Sequence, residues 1–156
     1  MTIAPVVKTI SVAFPPARAF EVFTRHMGGW WKRGMTVAAE PHVDIVIEPH
    51  PGGRWFERDA AGVETQWGRV LAWEPPHRLL LAWQLDAHFK YDPDFEVELE
   101  IGFAPEGDGG TRVTLEHRNM ERFGDSAATI ADSVGRGWPM LLELYADYAG
   151  QKETTK

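Results

Sequence analysis

The chain contains no cysteine. That excludes disulfides, thiolate zinc sites, iron–sulfur clusters and a cysteine nucleophile. It has no basic run either: 16 Lys and Arg stand against 23 Asp and Glu, a formal charge of -7. Phosphate backbones are held by clustered Lys and Arg, so nucleic acid is not an expected partner. No apolar stretch approaches the ~20 residues of a membrane-spanning helix, and no membrane association is expected. Met1 to Lys8 lacks the basic segment followed by an apolar one that marks a signal peptide, so a cytoplasmic protein is expected. The six histidines (His26, His42, His50, His77, His88 and His117) never fall at the i, i+4 or His-x-His spacing of a metal site, and His-Glu-x-x-His is absent. No metal and no cofactor is expected. The phosphate-loop pattern and the G-x-S-x-G nucleophile elbow are also missing, and Pro51-Gly52-Gly53 reads as a turn before a strand.

What is abundant is aromatic: seven Trp, eight Phe and three Tyr in 156 residues, ring material for a core first and for a ligand wall second. The length suits one domain, read over 1–150, with 151–156 as a disordered tail. Val6, Lys8, Ile10 and Val12 alternate with Val7, Thr9 and Ser11, a strand. Pro16 suits the first turn of a helix carrying Ala19, Phe20, Val22 and Phe23, expected to end near Gly28-Gly29. Trp30-Trp31 follows, then an irregular stretch over 32–41. From Val43 to Arg118 the chain reads as β. Val43, Ile45 and Ile47 share a face; Trp55-Phe56, 64–73 and 78–85 make further strands. Phe95, Val97, Leu99, Ile101 and Phe103 alternate with Glu96, Glu98 and Glu100, one dry face and one solvated. Val113, Leu115 and His117 return on one face. Ala127, Ile130, Val134, Trp138, Leu141, Tyr145 and Tyr148 then form one apolar helical stripe, with a kink expected where Gly135, Gly137 and Pro139 interrupt it. A sheet with one apolar face, and one long helix able to cover it, imply an α+β two-layer fold.

In this order the residues resemble a known family. Pro51-Gly52-Gly53, Asp59, Gly62, Gly68-Arg69-Val70, Pro75-Pro76-His77-Arg78-Leu79 and Trp83 are similar to the signature of the AHSA-type branch of the SRPBCC (START-like) superfamily. Gly110-Thr111-Arg112-Val113-Thr114-Leu115-Glu116-His117 and Gly137-Trp138 with Leu141, Leu144 and Tyr145 continue it, as does Trp30-Trp31. The resemblance implies a helix-grip fold: a curved antiparallel sheet of about six or seven strands around a long C-terminal helix, with a hydrophobic cavity between them. The superfamily includes lipid carriers, hormone receptors, polyketide cyclases and the C-terminal domain of the activator of the 90-kDa heat-shock-protein ATPase, and a fold alone does not choose among them.

The leading expectation is therefore non-catalytic binding of a small hydrophobic or amphipathic molecule in a central cavity. Its lining is expected from Trp67, Leu81, Trp83, Val97, Leu99, Trp138, Leu142 and Tyr145, with Arg69, Gln84 and His117 orienting the ligand. No catalytic residue is assigned. His117 reads as a hydrogen-bonded, partly buried histidine, with a cavity acid or base as the alternative. Two other classes stay open. One is a co-chaperone-like module whose outer sheet face meets a chaperone or another protein. The other is a polyketide cyclase or hydratase that moves protons with cavity His or Asp residues.

Overall fold

Alternating β-branched and aromatic residues give seven strands: β1 (Val6–Val12), β2 (His42–Ile47), β3 (Arg54–Asp59), β4 (Glu64–Glu74), β5 (Arg78–Trp83), β6 (Val97–Glu106) and β7 (Gly110–Arg118). The computed structural model describes residues 4–32, 35, 37 and 42–154. The strands form one curled antiparallel sheet in the order β1-β7-β6-β5-β4-β3-β2. Every neighbouring pair except β1 and β7 is consecutive in the chain. Two helices, α1 (Pro16–Arg25) and α2 (Met27–Trp30), connect the sheet's two edge strands. After β7 a 3₁₀ segment (Met120–Ser126) leads into the long α3 (Ala127–Thr154), which lies across the concave face.

The faces follow the alternation. Val97, Leu99, Ile101 and Phe103 of β6 and Val113, Leu115 and His117 of β7 are buried beneath Ile130, Val134, Trp138, Leu141 and Tyr145 of α3. Glu96, Glu98 and Glu100 stand on the opposite face, where Arg69 meets Glu96 at 2.6 Å and Arg118 meets Glu98 at 2.9 Å and Glu100 at 2.8 Å. These half-exposed pairs contribute little each, about 0–1 kcal/mol, but they keep the convex face polar.

Four readings change. Val43 is 55% exposed, because it is the extra residue of a bulge between His42 and Asp44, and a bulge reverses the alternation. His42 takes the inward position instead and bonds the Gly28 carbonyl through Nε2 at 3.1 Å. Helix α1 stops at Arg25, and Gly28-Gly29 lie within α2. Their role is close approach: a Cβ on Gly28 would stand 2.6 Å from the Ile45 nitrogen, and one on Gly29 2.8 Å from the Tyr148 ring. Finally, α3 runs unbroken through Gly135, Gly137 and Pro139 to Thr154, so 151–154 continue the helix where a tail was expected. Pro139 has no N–H, so the Gly135 carbonyl loses its helical donor. Residues 155–156 and most of 32–41 lie outside the described residues. Among the described residues no helix is long and apolar enough to cross a membrane.

Gly68 carries the tightest backbone approach in the sheet. A Cβ there would fall 1.8 Å from the Ala82 carbonyl oxygen, whereas one on Gly102 would meet nothing within 4 Å. Gly68→Ala is expected to cost about 3 kcal/mol or more, through overpacking against backbone. Gly102→Ala is expected to be neutral or to add about 0.5–1 kcal/mol, because Ala loses less entropy than Gly in a strand. Urea melts of the two variants check this pair.

Candidate functional site

Helix α3 does not close the sheet completely. A cavity of about 310 Å³ remains beside the end of β5, at the lower end of the range for small-molecule sites. Its wall is built from four indoles: Trp31 after α2, Trp67 on β4, Trp83 on β5 and Trp138 on α3. Ring centroids are 5.1 Å apart for Trp31 and Trp67, 5.7 Å for Trp31 and Trp138, and 6.4 Å for Trp83 and Trp138. Trp55 backs the wall at 5.4 Å from Trp67 and 5.9 Å from Trp83. Val134 and Leu141 of α3, with Leu85 and Val37, complete the apolar lining, and Gly137 adds no side chain to it. Ser133, Met35 and Phe89 stand at the exposed rim.

All four wall indoles use their N–H on protein acceptors. Trp31 donates to the Met35 carbonyl at 2.7 Å, Trp83 to the Leu85 carbonyl at 3.1 Å, Trp67 to Glu57 Oε1 at 2.7 Å and Trp138 to His117 Nδ1 at 3.2 Å. The rings are thereby oriented, and what they offer the cavity is carbon. Glu57 is buried on the concave face, in step with Trp55 two residues earlier, and also accepts the Val37 N–H at 2.6 Å. His117 is fully buried. Because Nδ1 accepts from Trp138, its single ring proton is on Nε2, and burial pushes its pKa down to about 3. It is a neutral imidazole one layer behind the wall.

The structure brings together Trp67, Trp83 and Trp138 of the expected lining. Leu81, Val97, Leu99, Leu142 and Tyr145 are buried but lie in the closed core rather than on the wall. Leu81, Leu99 and His117 are in register across three strands, further from the open end than Trp83. Tyr145 points at α1, its hydroxyl donating to the Ala19 carbonyl at 2.8 Å. Gln84 is buried off the lining and donates to the Pro93 carbonyl at 3.2 Å. Arg69 is on the convex face, paired with Glu96, and does not reach the cavity. Its displacement has a definite cause: Trp67 is the extra residue of a bulge between β3 and β4, so Trp67 and Gly68 are both buried and Arg69 falls outward. Sequence reasoning missed Glu57, which the alternation from Trp55 places inward, and Phe89, which no periodicity marks. Among the described residues no three His, Asp or Glu side chains group as metal ligands.

Fold and cavity together define a helix-grip protein of the SRPBCC type. The chain belongs to the activator of Hsp90 ATPase homolog 1-like family, whose model matches residues 13–150. Among solved structures it is similar to Txn09, an anthrahydroquino-gamma-pyrone synthase, with 38% identity over 94% of this chain and 97% of that one and a TM-score of 0.67. It is also similar to CalC, a self-sacrificing resistance protein from Micromonospora echinospora, with 29% identity over 98% of both chains and a TM-score of 0.71. Protein MLL2253 from Mesorhizobium loti, 20% identical over 94% of this chain and 97% of its own, shares the fold with a TM-score of 0.69. No curated protein sequence matches the chain.

The buried imidazole predicts a pH signature. An unfolded histidine titrates near 6.5 and the folded His117 near 3, so between those values the unfolded chain binds more protons. Stability therefore falls as pH is lowered from 6.5, by up to about 1.4 kcal/mol per pH unit, and this group contributes no slope above 6.5. His117→Asn, whose amide oxygen can still accept from Trp138, is expected to lack that component. Urea unfolding of both proteins at pH 7 and pH 5 tests it; parallel pH dependence would refute the assignment.

Proposed function

We propose that this protein binds a small hydrophobic or amphipathic molecule in the cavity between sheet and helix, without transforming it. The observation that carries the reading is the wall of four indoles with every N–H turned to protein. Such a wall offers burial and ring stacking but no hydrogen bond, which favours a flat apolar body. Burial contributes roughly 25 cal/mol per Å² before the costs of association. Ser133, the one hydroxyl among the described lining residues, is exposed at the rim, which suits an occupant with its polar end outward.

Similarity to the synthase Txn09 supports a second reading, an enzyme that closes rings on a polyketide-like substrate. A general acid or base must reach the substrate within hydrogen-bond distance or through one water. Among the described residues none of the cavity lining titrates, and the two ionisable side chains bonded to the wall, Glu57 and His117, each stand behind an indole. That arrangement favours binding over catalysis. The family's name supports a chaperone-directed module, for which the convex face is the candidate surface; its paired charges make it the weaker reading.

The test uses N-phenyl-1-naphthylamine, a neutral fluorescent aromatic. Wild type is expected to show saturable one-to-one binding with quenching of indole emission. Gly137→Leu, which places a branched side chain in the cavity, is expected to weaken binding at least about tenfold, a loss of 1.4 kcal/mol or more, with melting temperature nearly unchanged. Absence of saturable binding by wild type, or equal binding by the variant, would sink the reading. Native mass spectrometry of protein from its own host identifies the physiological occupant as a mass increment.

A further inference from the structure

Between β5 and β6 the chain makes a tight excursion over 84–96, and Phe89 sits near its tip. The φ of Phe89 is +57°. Among the described non-glycine residues only Asn119 shares that sign, at 63°, and asparagine enters the left-handed region readily where a bulky ring does not. The loop enforces the conformation. Phe89 N–H donates to the Asp86 carbonyl at 2.9 Å, and Asp86 N–H to the Lys90 carbonyl at 2.9 Å. The Asp86 carboxylate accepts the N–H groups of His88 at 2.8 Å and Lys90 at 3.2 Å. At the base, Leu85 pairs with Tyr91, and Asp92 N–H donates to the Gln84 carbonyl at 2.9 Å.

That ordered loop delivers a ring to a place where folding does not need it. Phe89 is 40% exposed and takes no part in the hydrophobic core, yet it lines the cavity. Folding alone would favour glycine or asparagine there, and solvation alone would favour a polar side chain. We infer that Phe89 is a specificity-determining contact, whose ring covers the outward side of the cavity's occupant and completes the aromatic wall begun by Trp31, Trp67, Trp83 and Trp138. The inference rests on the binding reading above. It extends that reading by assigning the rim, and it implies that the occupant presents an apolar face at the mouth, beside the polar end that Ser133 suits.

Three variants test it with N-phenyl-1-naphthylamine titrations and thermal melts. Phe89→Gly is expected to melt at or above the wild-type temperature, since glycine adopts this φ freely, while affinity falls about tenfold, the factor made by 1.4 kcal/mol. Phe89→Ala is expected to lose affinity to the same degree with the backbone strain retained. Phe89→Tyr is expected to bind as wild type. A ring kept for folding gives the opposite pattern: Phe89→Gly melts several degrees lower and binds normally, which overturns the inference. Wild-type-like binding by both Phe89→Gly and Phe89→Ala overturns it too, while the cavity reading stands if Gly137→Leu still blocks. If wild type binds no probe, the cavity reading fails and this inference falls with it.

Discussion

Two side-chain hydrogen bonds hold the cavity's shape. Trp67 of β4 donates its indole N–H to the buried Glu57 carboxylate of β3, and Trp138 of α3 donates to the buried His117 imidazole of β7. A buried donor that loses its acceptor costs about 1–3 kcal/mol, more where the acceptor is charged. Either indole could turn to fill the neighbouring space only by giving up that bond, and Glu57 would then be left as a buried carboxylate short of a donor. The void is therefore not slack in the packing. It is what remains when large rings are oriented by acceptors on the side away from it. Trp31 and Trp83 are held by the backbone carbonyls of Met35 and Leu85, residues of the lining itself, so all four indoles are fixed by hydrogen bonds to protein.

This arrangement shows what alternation can and cannot reveal. The alternation from Phe95 to Phe103 and the apolar stripe from Ala127 to Tyr148 were enough to anticipate a sheet covered by a helix, and the family resemblance implied the grip. The stripe also placed Trp138 on the inward face. Period two identifies a face, however, and not a depth along it. Leu81 and Leu99 share the concave face with Trp83 but lie deeper along it, in its closed part. Bulges remove even the face. The extra residues Val43 in β2 and Trp67 in β4 each shift the phase, sending Val43 to solvent and Arg69 to the convex side. A bulge is a tertiary compromise with no signature in apolar spacing alone. The adjacent tryptophans Trp30 and Trp31 illustrate the same limit. Trp30 packs on Phe23 and Tyr145 and donates to the Val22 carbonyl, whereas Trp31 turns to Trp67 and Trp138. Nothing in the dipeptide says which ring is core and which is wall.

The choice between carrier and catalyst turns on distance rather than on the presence of ionisable groups. A helix-grip interior places whatever side chains it has against its ligand, and this one interposes rings. Desolvation keeps His117 neutral through the physiological range, so it offers neither a cation nor a proton donor of useful acidity. Its Nδ1 lone pair is already engaged by Trp138. Among the described residues, the ionisable groups nearest the cavity, Glu57 and His117, are separated from it by the indoles they hold. The likeness to Txn09 sets the terms of that comparison, since the two chains share 38% of their residues and almost their whole length.

Three buried polar atoms lie close together in the interior. Trp55 Nε1, Gln84 Oε1 and His117 Nε2 are buried and have no hydrogen-bond partner among the described residues. Trp55 and His117 both pack on Trp83, at 5.9 Å and 4.7 Å between ring centroids, and Gln84 is its neighbour in the chain. Each such atom forgoes about 1–3 kcal/mol that a sequence selected only for stability would recover. The same quarter of the molecule holds Phe89 in a left-handed backbone, while the far end of the sheet closes over Phe23, Phe103 and Tyr145 with their rings in edge contact. Three orphaned polar atoms and one left-handed phenylalanine therefore coincide around Trp83. Natural chains tolerate such failures where another requirement competes with folding, and here the requirement that coincides with them in space is an aromatic cavity kept open.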